Sequence, residues 1–91
     1  MTLEDEKKLR EAIRKTSRIE YSEDYYDTTL SDEHCDIMDK FGFDSLRIIE
    51  LVLEIEEIFG FEFDMDELDI NKVRYYDLLK AKINEGINGG T

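Results

Sequence analysis

The sequence contains no proline, one cysteine and one histidine. Without proline there is no Pro-rich linker, and no internal repeat divides the chain. A lone cysteine, Cys35, forms no internal disulfide, and with His34 as the only histidine no Cys/His cluster of metal-ligand spacing exists. That usage suits a reducing cytoplasm. No run approaches the ~18 consecutive apolar residues that a membrane-spanning helix needs, and the opening MTLEDEKK lacks the apolar core of a secretory signal. A cytoplasmic chain with no membrane span is therefore expected. Bases are scarce as well: 12 Lys and Arg stand against 24 Asp and Glu, a formal charge of −12 that should repel nucleic acid.

What remains is a chain of 91 residues, 41% of them hydrophobic. A chain this short buries only about two-thirds of its unfolded surface and supports one core, so residues 1–84 read as one domain and 85–91, EGINGGT, as a disordered tail. Leu9, Ala12, Ile13 and Thr16 recur at helical spacing, predicting a first helix from about Leu3 to Ile19, with Thr2 as its cap and Glu4, Asp5 and Glu6 at its positive end. From Glu20 to Asp44 no period is sustained. This reads as a loop of about 25 residues, long for a compact domain, with Leu30, Ile37, Met38, Phe41 and Phe43 packing inward and one short helical turn after Ser31. The main helix runs from Asp44 or Ser45 to Phe59 and stops at Gly60. A short turn in Asp64–Ile70 and a last helix from Asn71 to about Asn84, with Val73, Tyr76, Leu79 and Ile83 on one face, complete the pattern. The expected fold is all-α: a small four-helix bundle of three longer helices and a short third one, with a long loop between helices 1 and 2.

The main helix has too many apolar residues for one stripe. At 3.6 residues per turn Ile48, Leu51, Val52, Ile55 and Phe59 share a core face, whereas Leu46, Ile49 and Leu53 fall beside Glu50, Glu56 and Glu57. Either Leu46 and Ile49 pack under the long loop or the second set forms a partner site, since exposed apolar patches rimmed with charge mark such sites. Charge points to the latter. Asp44 to Asp69 contain ten acids and one base, Arg47, a net of −9, whereas residues 1–18 carry six bases and four acids, a net of +2. Acids interleaved with exposed aliphatics suit steering and docking to a basic surface. At the mouth of this helix stands Ser45. A serine there serves as a cap, or as the anchor of an anionic group lying against free backbone N–H donors and the positive end of the dipole.

The stretch GFDSL, Gly42 to Leu46, followed by IIELVLEIEEIFGFEF, Ile48 to Phe63, resembles the G-x-D-S-L signature and second helix of acyl carrier proteins and the related peptidyl carrier domains. The resemblance covers roughly Asp36 to Ile83. It implies 4'-phosphopantetheine, derived from coenzyme A and attached to Ser45 by a phosphopantetheinyl transferase, with Asp44 in the transferase recognition motif. The thiol-ended arm would hold acyl or aminoacyl groups as thioesters, and the chain would carry substrates without transforming them. Leu46, Ile49, Glu50, Leu53, Glu56 and Glu57 match the partner-facing positions of that family, for docking of a loading ligase and of acyltransferase or synthase enzymes by a monomeric carrier. Arg47 stands where many fatty-acid carriers are acidic, no proline follows FEF, and 44 residues precede Ser45. These departures point to a specialised pathway such as natural-product or cell-envelope assembly.

Other chemistries fit less well. His34 and Cys35 are adjacent, a spacing that rarely brings nucleophile and base together, and no orienting partner is evident. The carboxylate runs read as a solvated face in preference to a glycosidase pair. DMDELDIN begins like a calcium loop, but Leu68, Asp69 and Tyr75 occupy its fifth, sixth and twelfth positions, where an oxygen ligand, glycine and glutamate are needed. No metal site is expected. A helical adaptor binding a basic partner without modification of Ser45 is the alternative that keeps the two-faced helix.

Overall fold

Thr2 opens the first helix through a reciprocal pair of bonds: its Oγ1 accepts the Asp5 N–H at 3.1 Å, and its own N–H donates to Asp5 Oδ2 at 3.2 Å. That helix, α1, spans Leu3–Thr16 in a computed structural model that describes residues 1–64, 66 and 68–89. Leu9, Ala12, Ile13 and Thr16 are buried, and the Thr16 hydroxyl donates to the Ala12 carbonyl at 2.7 Å, so its burial leaves no orphan donor. The helix ends three residues before Ile19, because Ser17 turns to extended backbone.

The segment expected as a loop holds two helices. Ser22 caps α2, Glu23–Leu30, by accepting the Tyr25 N–H at 3.2 Å, and the helix buries Tyr26 and Leu30 one turn apart. Ser31, expected to open a helical turn, instead closes α2, its N–H donating to the Asp27 carbonyl at 3.1 Å. Asp36 caps α3, Ile37–Phe41, which buries Ile37 and Phe41. The tyrosines hold these short helices in place: Tyr26 stacks on Phe41 at 5.0 Å, and Tyr21 stacks on Tyr25 at 4.5 Å. Leu30, Ile37, Phe41 and Phe43 are buried as expected, with Met38 half-buried against the same core.

The main helix, α4, spans Ser45–Phe59 and ends at Gly60, whose φ of 70° is the left-handed conformation of a helix stop. Ile48, Leu51, Val52 and Ile55 are fully buried, while Phe59 lies half-buried at the core's edge. Two further helices follow, α5, Ile70–Val73, and α6, Tyr76–Gly89, where one had been expected from Asn71. A long-range contact makes the break. The Ile37 N–H donates to the Arg74 carbonyl at 2.7 Å and the Tyr76 N–H to the Cys35 carbonyl at 3.0 Å, an antiparallel bridge that takes residues 74–76 out of helical register. Val73 is buried from α5, and Tyr76, Leu79 and Ile83 from α6. The turn expected at Asp64–Ile70 falls partly on Met65 and Glu67, outside the described residues; the helical turn that is described starts at Ile70. Where a disordered tail was expected from Glu85, α6 continues to Gly89, with Gly90 and Thr91 outside the described residues. Phe61 packs so closely on Gly86 that a Cβ there would clash with its ring.

The fold is thus all-α, with six helices among the described residues in place of four. Its core joins α1, α4 and α6 through residues such as Leu9, Ile13, Leu51, Ile55 and Leu79. Lys15 on α1 pairs with Glu54 on α4 at 2.8 Å, and the Tyr76 hydroxyl on α6 donates to Glu6 on α1 at 3.0 Å. This packing leaves the N-terminus of α4 and one of its long faces uncovered.

Candidate functional site

The chain reaches Ser45 through a tight sequence of local constraints. Gly42 ends α3 with φ of 68°, a conformation that side chains disfavour, and this turns the chain directly toward α4. A Cβ on Gly42 would meet only ordinary contacts, Ile19 at 3.6 Å and Tyr21 at 3.8 Å, so backbone conformation and not space requires glycine here. Phe43 is buried and anchors the turn. Asp44 then caps α4, its Oδ1 accepting the Arg47 N–H at 2.8 Å.

Ser45 therefore occupies the first helical position and is exposed. Since Asp44 supplies the cap, the serine side chain is not used for capping: among the described residues its hydroxyl makes no hydrogen bond, and neither the Ser45 nor the Leu46 backbone N–H donates one. An uncommitted hydroxyl beside two free donors at the positive end of a 15-residue helix suits an esterified phosphate.

Along α4 the second stripe lies open. Leu46 is 64% and Leu53 53% exposed, and Glu50 and Glu57 are exposed beside them. Ile49 is half-buried against the core, so it contributes to both faces. Glu50 is held by Arg47 at 3.1 Å. Glu56 differs from its neighbours: its Oε2 accepts the Phe63 N–H at 2.7 Å and ties down the chain after α4. Leu53 lines a shallow groove with Glu56, Glu57, Gly60, Phe61 and Glu62.

The other reactive groups do not form a site. Cys35 is buried, which pushes its thiol up to about 11, and His34 is stacked on Tyr75 at 4.8 Å with Nδ1 3.1 Å from Asp77. Among the described residues no group of three or more His, Cys, Asp or Glu is placed to hold a metal ion, and no helix is long and apolar enough to cross a membrane.

A family profile described as phosphopantetheine attachment site matches residues 7–74 of the chain, from within α1 to the end of α5. The chain belongs to this family. The group that the family carries is 4'-phosphopantetheine, covalently attached. Comparison with curated proteins and with solved structures returned no match. One contact at the mouth of α4 was not anticipated from sequence. Arg18 Nη2 lies 3.3 Å from Asp44 Oδ2, across 26 residues of chain, a separation at which no local pattern links the two.

Proposed function

We propose that Ser45 is the attachment residue and that the chain carries acyl or aminoacyl groups as thioesters for a specialised biosynthetic pathway. The observation that carries this reading is the exposed Ser45 hydroxyl at the first position of α4, left without a hydrogen bond because Asp44 caps the helix. In the transfer, Ser45 Oγ forms a bond to the phosphorus that bears pantetheine in coenzyme A. The pyrophosphate bond breaks, the nucleotide leaves, and the hydroxyl proton passes to a base of the transferase. When attached, the arm supplies a terminal thiol for thioester exchange. The residues of this chain hold its root: the free N–H groups of Ser45 and Leu46 and the helix dipole favour the phosphodiester charge. Asp44 adds a carboxylate next to the reacting hydroxyl, in keeping with a role in transferase recognition.

Docking of the transferase, and of loading and acyl-transferring partners, is proposed for Leu46, Ile49, Glu50, Leu53, Glu56 and Glu57. The exposed leucines supply apolar contact and the glutamates steer basic surfaces. No residue of this chain is assigned a catalytic role. Arg47 and the missing proline after Phe63 support a specialised carrier over a general fatty-acid one. Intact mass after incubation with coenzyme A and a broad-specificity phosphopantetheinyl transferase tests the reading: a gain of one phosphopantetheine is expected. No gain would leave the non-covalent acidic adaptor, which needs only the open face of α4.

A further inference from the structure

The end of α1 places a cation at the mouth of α4. Ser17 leaves the helix in extended conformation, and Arg18, the next residue, reaches Asp44 with Nη2 at 3.3 Å. Asp44 Oδ1 is committed to the cap, so Arg18 takes the remaining oxygen. The guanidinium uses one nitrogen for this; among the described residues its Nε and Nη1 donate to nothing. Arg47, the one base in residues 44–69, is held on Glu50 through Nη1 at 3.1 Å, and its Nε, without a partner among the described residues, is buried and not open to solvent as Arg18 is. Lys15 is likewise held on Glu54.

A phosphodiester on Ser45 adds an anion one residue from the Asp44 carboxylate, in a chain whose formal charge is already −12. Two like charges so close repel, and the helix N-terminus alone has to favour both. A guanidinium with free donors meets this need, because its planar fork binds phosphate oxygens and carboxylates in the same way. We infer that Arg18 is a positioning residue for the phosphodiester, bridging it to Asp44 and fixing the root of the arm on the side of the α1–α2 connection. The inference rests on Ser45 being the attachment residue. Arg18 and Asp44 are each more than half exposed, so the pair is readily shared with a second anion, and replacing Arg18 leaves the core untouched.

The test compares unmodified and modified forms of the wild-type chain, Arg18→Gln and Arg18→Lys, with modification verified by intact mass. In the wild type, modification should shift the melting temperature little. In Arg18→Gln the modified form should melt lower than the unmodified form by a further shift on the order of 1–5 °C at low salt. That difference should shrink in about 1 M salt, where the Debye length falls to about 3 Å. Arg18→Lys should bring the difference back close to the wild-type value, and the ³¹P resonance of the phosphodiester should move in Arg18→Gln. If the wild type is modified but Arg18→Gln shows the same melting difference and the same ³¹P resonance, the assignment of Arg18 is overturned while that of Ser45 stands. If the wild type gains no arm, or gains it elsewhere than on Ser45, both fall.

Discussion

Asp44 Oδ1 accepts the Arg47 N–H at 2.8 Å, so the residue before Ser45, and not Ser45 itself, caps α4. This division of labour separates the cap from the proposed attachment residue at two adjacent positions. Asp44→Ala should destabilise the domain by about 1 kcal/mol, within the 0.5–2 kcal/mol range of lost caps. Ser45→Ala should change stability by at most a few tenths of a kcal/mol, because it removes no hydrogen bond and introduces a better helix former. Denaturant melts of the two variants decide the matter. Equal losses would show that the serine hydroxyl is structural.

The two faces of α4 differ in burial, and truncation should reproduce the difference. Ile55 is fully buried and Ile55→Ala should lose roughly 2–5 kcal/mol, whereas Leu53, 53% exposed, should lose well under 1 kcal/mol on change to Ala. Comparable losses in chemical denaturation would place Leu53 in the core and remove it from the proposed docking face.

Glu56 and Glu57 are neighbours with different duties. The Phe63 N–H donates to Glu56 at 2.7 Å, so Glu56→Ala should destabilise by about 1 kcal/mol, on the scale of a partly exposed hydrogen bond to a charged group. Among the described residues Glu57 makes no such bond, and Glu57→Ala should stay within about 0.5 kcal/mol. If Glu57→Ala slows modification by the transferase without changing the melt, the docking role is supported. Glu56 variants need the stability control before any kinetic loss is read as lost docking.

The buried Cys35 thiol makes a prediction across pH. Burial raises its pKa from 9.0 to about 11, so the folded state favours the neutral thiol. The resulting stability is fully present below the unfolded value and is lost as pH rises from there through about 11. Cys35→Ala should flatten this alkaline limb in pH-dependent melts. At neutral pH the native unmodified chain should react slowly with thiol reagents, and the modified chain should show one fast thiol, that of the arm. A fast-reacting Cys35 in the native, unmodified chain would contradict its placement in the core.

Much of this was legible in the sequence where a pattern ran long enough. The 15 residues of α4 carry four turns of apolar repeat and end on Gly60, and α1 shows Leu9, Ala12, Ile13 and Thr16 on one face. The eight residues of α2 bury only Tyr26 and Leu30, a single i, i+4 pair amid hydroxyl and acidic residues, too short to establish a period. The break between α5 and α6 was hidden for another reason: Val73 and Tyr76 keep helical spacing, while the bridge that interrupts them comes from Cys35 and Ile37. At the proposed site, GFDSL pointed to Ser45 and Asp44 as candidates. Arg18, and the bond from Phe63 to Glu56, depend on residues brought together by folding, and no local spacing announces them.

The proposed attachment of the arm to Ser45 has a direct measurement. Cleavage after Lys40 and Arg47 releases the peptide Phe41–Arg47, FGFDSLR, in which Ser45 is the sole hydroxyl-bearing residue. After treatment with coenzyme A and a transferase, tandem mass spectrometry should find the mass of one phosphopantetheine on this peptide and on no other, and the gain should vanish in Ser45→Ala. An unmodified Phe41–Arg47 peptide from a chain that has gained the arm, or no gain at all, would contradict the account.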